Sequence, residues 1–209
     1  NKNAVAQCKI LMAFAYAQTS LLWGDIPFTE AATGKVDFPK FDKQQDVLNG
    51  SIAMLDEAIG MIDLNAKGII APNDLYYGGD MAKWRKFANS LKMRILFSMV
   101  DADASKGAAI GQLIAGGNMI SSSADAMLYK YYNQPGRQNP RFSFTAIFRG
   151  GVQSDWYCSK PVYDLLVSLK DPRIPYFYQP GSDAASNEFI ALGPVEVYTT
   201  KSALVNMNL

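Results

Sequence analysis

The chain contains no histidine. That absence removes serine–histidine and cysteine–histidine nucleophile systems, the HExxH zinc site and any imidazole proton shuttle. Chemistry would have to rest on carboxylates, lysines, tyrosines or thiols. Cysteine is scarce as well: Cys8 and Cys158 lie far apart, form no CxxC pair and cannot build a disulfide framework. Cys8 falls inside an apolar helical pattern and is expected to be a small core residue. Excess charge is missing too. Lys and Arg together number 20 against 19 Asp and Glu, a formal charge of +1, with no dense basic run. That balance argues against a nucleic-acid partner. No apolar run approaches the ~20 residues needed to span a bilayer; the longest, ILMAFAYA at 10–17 and RILFSMV at 94–100, suit packed helices. The first residue is Asn1, with no basic stretch followed by an apolar leader, so the chain is expected to be a segment of a longer protein.

What is present is enough for a real core. Of the 209 residues, 49% are hydrophobic and 12% aromatic, which rules against disorder. Residues 1–22 predict a helix through Val5, Cys8, Ile10, Leu11, Phe14, Ala15 and Leu22, stopped at Gly24 and Pro27. A second helix is expected from Asp42 as N-cap, with Gln45 in a capping-box position. Leu48, Ile52, Leu55, Ile59 and Ile62 then draw one apolar stripe. Asp80 is placed to cap a third helix whose packed side carries Trp84, Phe87, Ala88, Leu91, Ile95 and Phe97. Shorter helices are expected at 105–115, ending at Gly116-Gly117, and at 160–169, opened by Pro161. DPRIPYFYQP reads as extended, and the remaining tail as short strands or loop.

The fold class is therefore mostly α. A helical scaffold over 1–116 is followed by an irregular section over 117–209 that carries one short helix.

Four stretches resemble a known family in order and spacing: WGDIPFTEA at 23–31, DLYYGGDMAKWRKFANSLKMRI at 74–95, SSSADAML at 121–128 and DPRIPYFY at 171–178. The chain is similar to the SusD/RagB nutrient-binding outer-membrane lipoproteins, as one segment of a larger SusD-like domain. The resemblance implies tetratricopeptide-like helix pairs and a loop-rich ligand region. It also implies a non-catalytic, cofactor-free subunit at the cell surface of a member of the Bacteroidetes, held to the outer membrane through a lipid anchor outside this chain. Its partner would be a SusC-like TonB-dependent transporter, to which a glycan or peptide is delivered.

The motif residues have two readings. Trp23, Gly24, Asp25 and Pro27 read foremost as a helix stop with an inward Trp, and otherwise as a binding surface. Asp80, Trp84, Asn89, Ser90 and Arg94 read as fold determinants, with Asn89 and Arg94 tying loops to their helix. DADAS at 101–105 mimics the start of a calcium loop, but the sixth and twelfth positions are Lys106 and Gln112 instead of Gly and Glu, so it reads as a helix start. The loop aromatics Tyr76, Tyr77, Tyr129, Tyr131, Tyr132, Trp156 and Tyr157 are the ligand candidates, because an exposed ring can stack on a sugar face. The same rings would suit a protein interface. Two rival readings stay open: a helical scaffold making only protein contacts, and a carboxylate-based hydrolase.

Overall fold

The computed structural model describes residues 1–70, 72–140, 158–179 and 204–205. The chain divides into two units, Asn1–Lys130 and Tyr131–Leu209.

In the first unit, Asn1 caps α1 (Lys2–Trp23) by accepting the backbone N–H groups of Asn3 and Ala4. The buried stripe of α1 is Asn3, Ala6, Gln7, Ile10, Ala13, Ala17 and Ser20, mostly small or polar residues. Alanines at this spacing let a neighbouring helix lie close. That neighbour is α2 (Gln44–Met61), which buries Val47, Leu48, Ser51, Leu55 and Ala58. Several large apolar side chains of α1 face outward instead, including Val5, Met12 and Leu22. Cys8 is likewise exposed, contrary to the expectation of a core thiol. A helix apolar on nearly every side gives no sequence signal for which side is buried.

Trp23 is 79% exposed in this chain and does not pack inward. The stop itself is as expected: Gly24 adopts φ 80°, and its N–H donates to Ser20 O at 2.8 Å. Ile26 and Asp42 then pair through backbone bonds of 3.2 and 3.0 Å, closing the 27–41 loop.

Asp42 does not cap α2. Its carboxylate turns back to accept from Phe28 N at 3.0 Å, Thr29 N at 2.7 Å and the Thr29 hydroxyl, and the cap position falls on Lys43. Three donors in the preceding loop outcompete the single helix amide that a cap would take.

The expected α2 stripe holds. Leu48 and Leu55 are buried, and Ile52, Ile59 and Ile62 pack against the same core. α3 (Met81–Met99) contributes Met81, Trp84, Ala88, Leu91, Ile95 and Met99 to that core. Asp80 caps α3 as expected, accepting Lys83 N at 3.1 Å. Phe97 faces outward, off the stripe. α4 (Lys106–Gly116) packs on α3 and ends at Gly117 in a left-handed conformation, φ 65°. Asp103, in the DADAS stretch, accepts from Ser105 N and Oγ at its start. A single 3-10 turn, Ser123–Asp125, follows.

In the second unit, α5 (Lys160–Ser168) opens with Pro161 in its first turn. The DPRIPYFY stretch is not wholly extended: Ile174–Phe177 forms a helical turn, α6. Two turn bonds, Tyr176 N and Phe177 N to Arg173 O at 2.9 and 3.0 Å, close it, and Pro175 occupies an early position where its missing N–H costs nothing. β1 (Tyr178–Gln179) then pairs antiparallel with β2 (Leu204–Val205). Cys158 is buried among Tyr163, Leu166, Ile174 and Tyr178, and burial pushes its thiol up to about 11. Among the described residues no helix is long and apolar enough to cross a membrane.

Candidate ligand-binding site

The DLYYGGD motif is organised around Asp74. Its carboxylate is buried and accepts five N–H groups: Trp84 Nε1 at 2.7 Å, Gly79 N at 2.8 Å, Tyr76 N at 3.0 Å, Tyr77 N at 3.1 Å and Gln7 Nε2 at 3.1 Å. Burial alone would raise its pKa, but these hydrogen bonds outweigh it and hold the carboxyl below the usual range. The motif is thus a turn wound on an anion and pinned to α3 and α1. Tyr77 packs edge-on against Trp84, with centroids 5.4 Å apart, and its hydroxyl donates to Asp125 O at 2.9 Å. Burial pushes the phenol up to about 12, so Tyr77 stays protonated and serves as an internal tie. Tyr76 lies edge-on to Trp84 at 6.1 Å and to Tyr129 at 6.4 Å. Beside it, Gln7, Cys8, Leu11, Ile69 and Trp84 line a cavity of about 230 Å3.

The polar face of α3 fixes the segment that carries Tyr129. Asn89 Nδ2 donates to Asn118 O at 3.0 Å, Ser90 Oγ accepts Ile120 N at 2.9 Å, and Lys83 Nζ donates to Ala124 O at 2.9 Å. Lys86 pairs with Asp125 at 2.9 Å, which holds that carboxyl below the usual range. The KWRKFANSLK motif is therefore a clamp on 118–125, as expected for Asn89. Arg94 instead reaches α1, at Gln18 Oε1, 3.3 Å away.

In the second unit, Tyr131 and Tyr132 are 48% and 45% exposed and share a cavity of about 290 Å3 with Asn133, Gln138 and Asn139. Turn bonds build it: Tyr132 N to Arg137 O at 2.9 Å and Arg137 N to Gln134 O at 3.0 Å. The Arg137 guanidinium stacks 4.1 Å from the Tyr132 ring centroid and braces it. Rings and carboxamides are suited to a neutral, hydroxyl-rich ligand, since rings contact C–H faces while amides both donate and accept. The three amide residues and Arg137 were not singled out from the sequence. The signal was there in YYNQPGRQN, where side-chain amides flank the turn formers Pro135 and Gly136 directly after the tyrosines. Trp156 and Tyr157 lie outside the described residues. Of the seven candidates, the structure groups Tyr76, Tyr77 and Tyr129 in the first unit and Tyr131 with Tyr132 in the second.

Comparison with known proteins sets these features in a family. The family of SusD-like proteins described as "Starch-binding associating with outer membrane" matches residues 1–204. A SusD homolog from Bacteroides uniformis superposes with a TM-score of 0.80 at 22% identity, covering 97% of this chain and 43% of the other. A SusD/RagB family protein from Bacteroides thetaiotaomicron gives 0.79 at 22% identity, covering 98% and 44%. A chitin-binding protein gives 0.72 at 24% identity, covering 99% and 46%. The chain thus spans less than half the length of these solved relatives, and they share its mostly helical fold. No curated protein matches it. On the match across residues 1–204, the chain belongs to the SusD-like family.

Proposed function

We propose that this chain forms part of a cell-surface glycan-binding subunit, a lipoprotein of the outer membrane that captures an oligosaccharide and hands it to a partner SusC-like TonB-dependent transporter. The observation that carries the reading is the cavity of Tyr131, Tyr132, Asn133, Gln138 and Asn139, whose rings and amides match the C–H faces and hydroxyls of a sugar. The description of the family as starch-binding and a chitin-binding relative support a glycan over a peptide as cargo. Capture works by stacking and hydrogen bonding, with no covalent step and no cofactor. The helical unit supplies the rigid scaffold, and the loops choose the cargo.

The test is purification of the full-length native protein from detergent-solubilised outer membranes, with co-purifying proteins and small molecules identified by mass spectrometry. A stoichiometric TonB-dependent barrel together with a retained oligosaccharide is the expected result. A protein recovered without a barrel partner would overturn the transporter assignment, and a retained peptide would overturn the glycan assignment.

A further inference from the structure

A second cleft, in the first unit, presents two cations to solvent beside the amino-terminal end of α1. Lys2, Arg85 and the loop after α2 enclose an open cavity of about 690 Å3. Met61, Ile62 and Leu64 give it an apolar wall, and Asp63 contributes a carboxylate that accepts Asn65 N at 2.9 Å. The loop is built in advance of any ligand. Asn3, itself buried, donates to Asp63 O at 2.8 Å and Ala66 O at 2.6 Å and accepts Asp63 N at 2.8 Å.

Arg85 is incompletely satisfied. Its Nη2 donates to Asn118 Oδ1 at 3.3 Å, while its Nε is sealed from solvent without an acceptor. Neither Lys2 nor Arg85 forms an ion pair among the described residues.

We propose that this cleft binds the carboxylate of an acidic sugar, a uronic acid residue, and so gives the subunit a preference for charged over neutral glycans. The two Nη atoms at the end of the Arg85 guanidinium form a planar fork that matches a carboxylate, and Lys2 adds the second positive charge. The C–H face of the ring lies on Met61, Ile62 and Leu64. Lys2 and Arg85 outweigh the single Asp63 in the lining, so the cleft favours an anion. The inference rests on a saccharide being the cargo, but it uses none of the residues of the Tyr132 cavity.

The test is calorimetric titration of the full-length protein with trigalacturonate, with its fully methyl-esterified form and with a neutral starch oligosaccharide. Trigalacturonate is expected to bind about tenfold more tightly than its ester, a difference that shrinks as ionic strength rises. Arg85→Met should remove that preference and leave neutral binding unchanged; Arg85→Lys, which keeps the charge but not the fork, should lose most of it. Lys2→Met, at an exposed position where folding is not in question, should weaken trigalacturonate binding alone. Equal affinity for acid and ester, or a preference that survives in a folded Arg85→Met protein, would overturn the inference. A wild-type protein that binds neutral saccharide but shows no preference for the acid therefore sinks this site alone, whereas absence of all saccharide binding sinks the glycan reading with it.

Discussion

The indole N–H of Trp84 donates to Asp74 Oδ2 at 2.7 Å, joining the first turn of α3 to the loop that precedes it. Trp84 is 2% exposed, so the bond is made out of reach of water. Trp84→Phe keeps an aromatic ring but removes the donor and leaves a void where the larger indole was; it should cost at least about 1.5–3 kcal/mol, the range for a hydrogen bond to a charged group, with a cavity cost added. Asp74→Asn should cost a similar amount, because one amide oxygen would face donors that the carboxylate shares between two. Urea denaturation of the two single variants and the double variant checks the coupling, and a double variant as destabilised as the sum of both would contradict it.

The same carboxylate sets a dependence on pH. Folding lowers the pKa of Asp74 from its ordinary 3.8. Its stabilisation is therefore fully present above that value and is lost as pH falls through the lower folded-state value. Below the ordinary carboxylate range, wild-type stability should fall more steeply than that of Asp74→Asn. Parallel acid profiles would show that Asp74 is not the group responsible.

Gly68 is required by close approach rather than by backbone conformation. A Cβ there would run into Gln7 Oε1 and would sit 2.8 Å from Met81 Sδ. Gln7 is the buried residue that joins Ile69 to Asp74, accepting Ile69 N at 2.6 Å. Gly68→Ala should thus cost about 1–3 kcal/mol by displacing Gln7. Thermal unfolding reads this directly, and an unchanged Tm would show that the loop moves aside freely.

Ser90 holds Ile120 by a single bond, its Oγ accepting Ile120 N at 2.9 Å. Ser90→Ala should accelerate hydrogen exchange at the Ile120 amide by roughly tenfold while leaving the α3 core amides protected. Unchanged exchange at Ile120 would mean that the clamp on 118–125 rests on Asn89, Lys83 and Lys86 instead.

Much of the scaffold was legible because helical spacing and helix punctuation agree. The Leu48–Ile62 stripe, the Asp80 cap and the Gly117 stop each follow from one local rule that tertiary packing did not override. Where the sequence misled, a long-range partner won. Asp42 looks like a cap but serves Phe28 and Thr29, donors that come close only once Ile26 has paired with Asp42. The inner face of α1 is Asn3, Ala6, Gln7 and Ala13, and no apolar count would choose it over Val5, Cys8 and Met12. Asn3 and Gln7 are buried because loops from beyond residue 60 bring them hydrogen-bond partners. On the site, the tyrosines could be proposed from sequence, but the amides of Asn133, Gln138 and Asn139 come together only through the turn closed by Tyr132 and Arg137.

Glycan capture through the second unit is tested most directly by titrating the full-length protein with starch and chitin oligosaccharides beside its Tyr132→Ala variant. Saturable binding by the wild type, with affinity lowered about tenfold (~1.4 kcal/mol) in the variant at unchanged Tm, is the predicted result. Equal affinity in both proteins, or no binding of any oligosaccharide by the wild type, would contradict it.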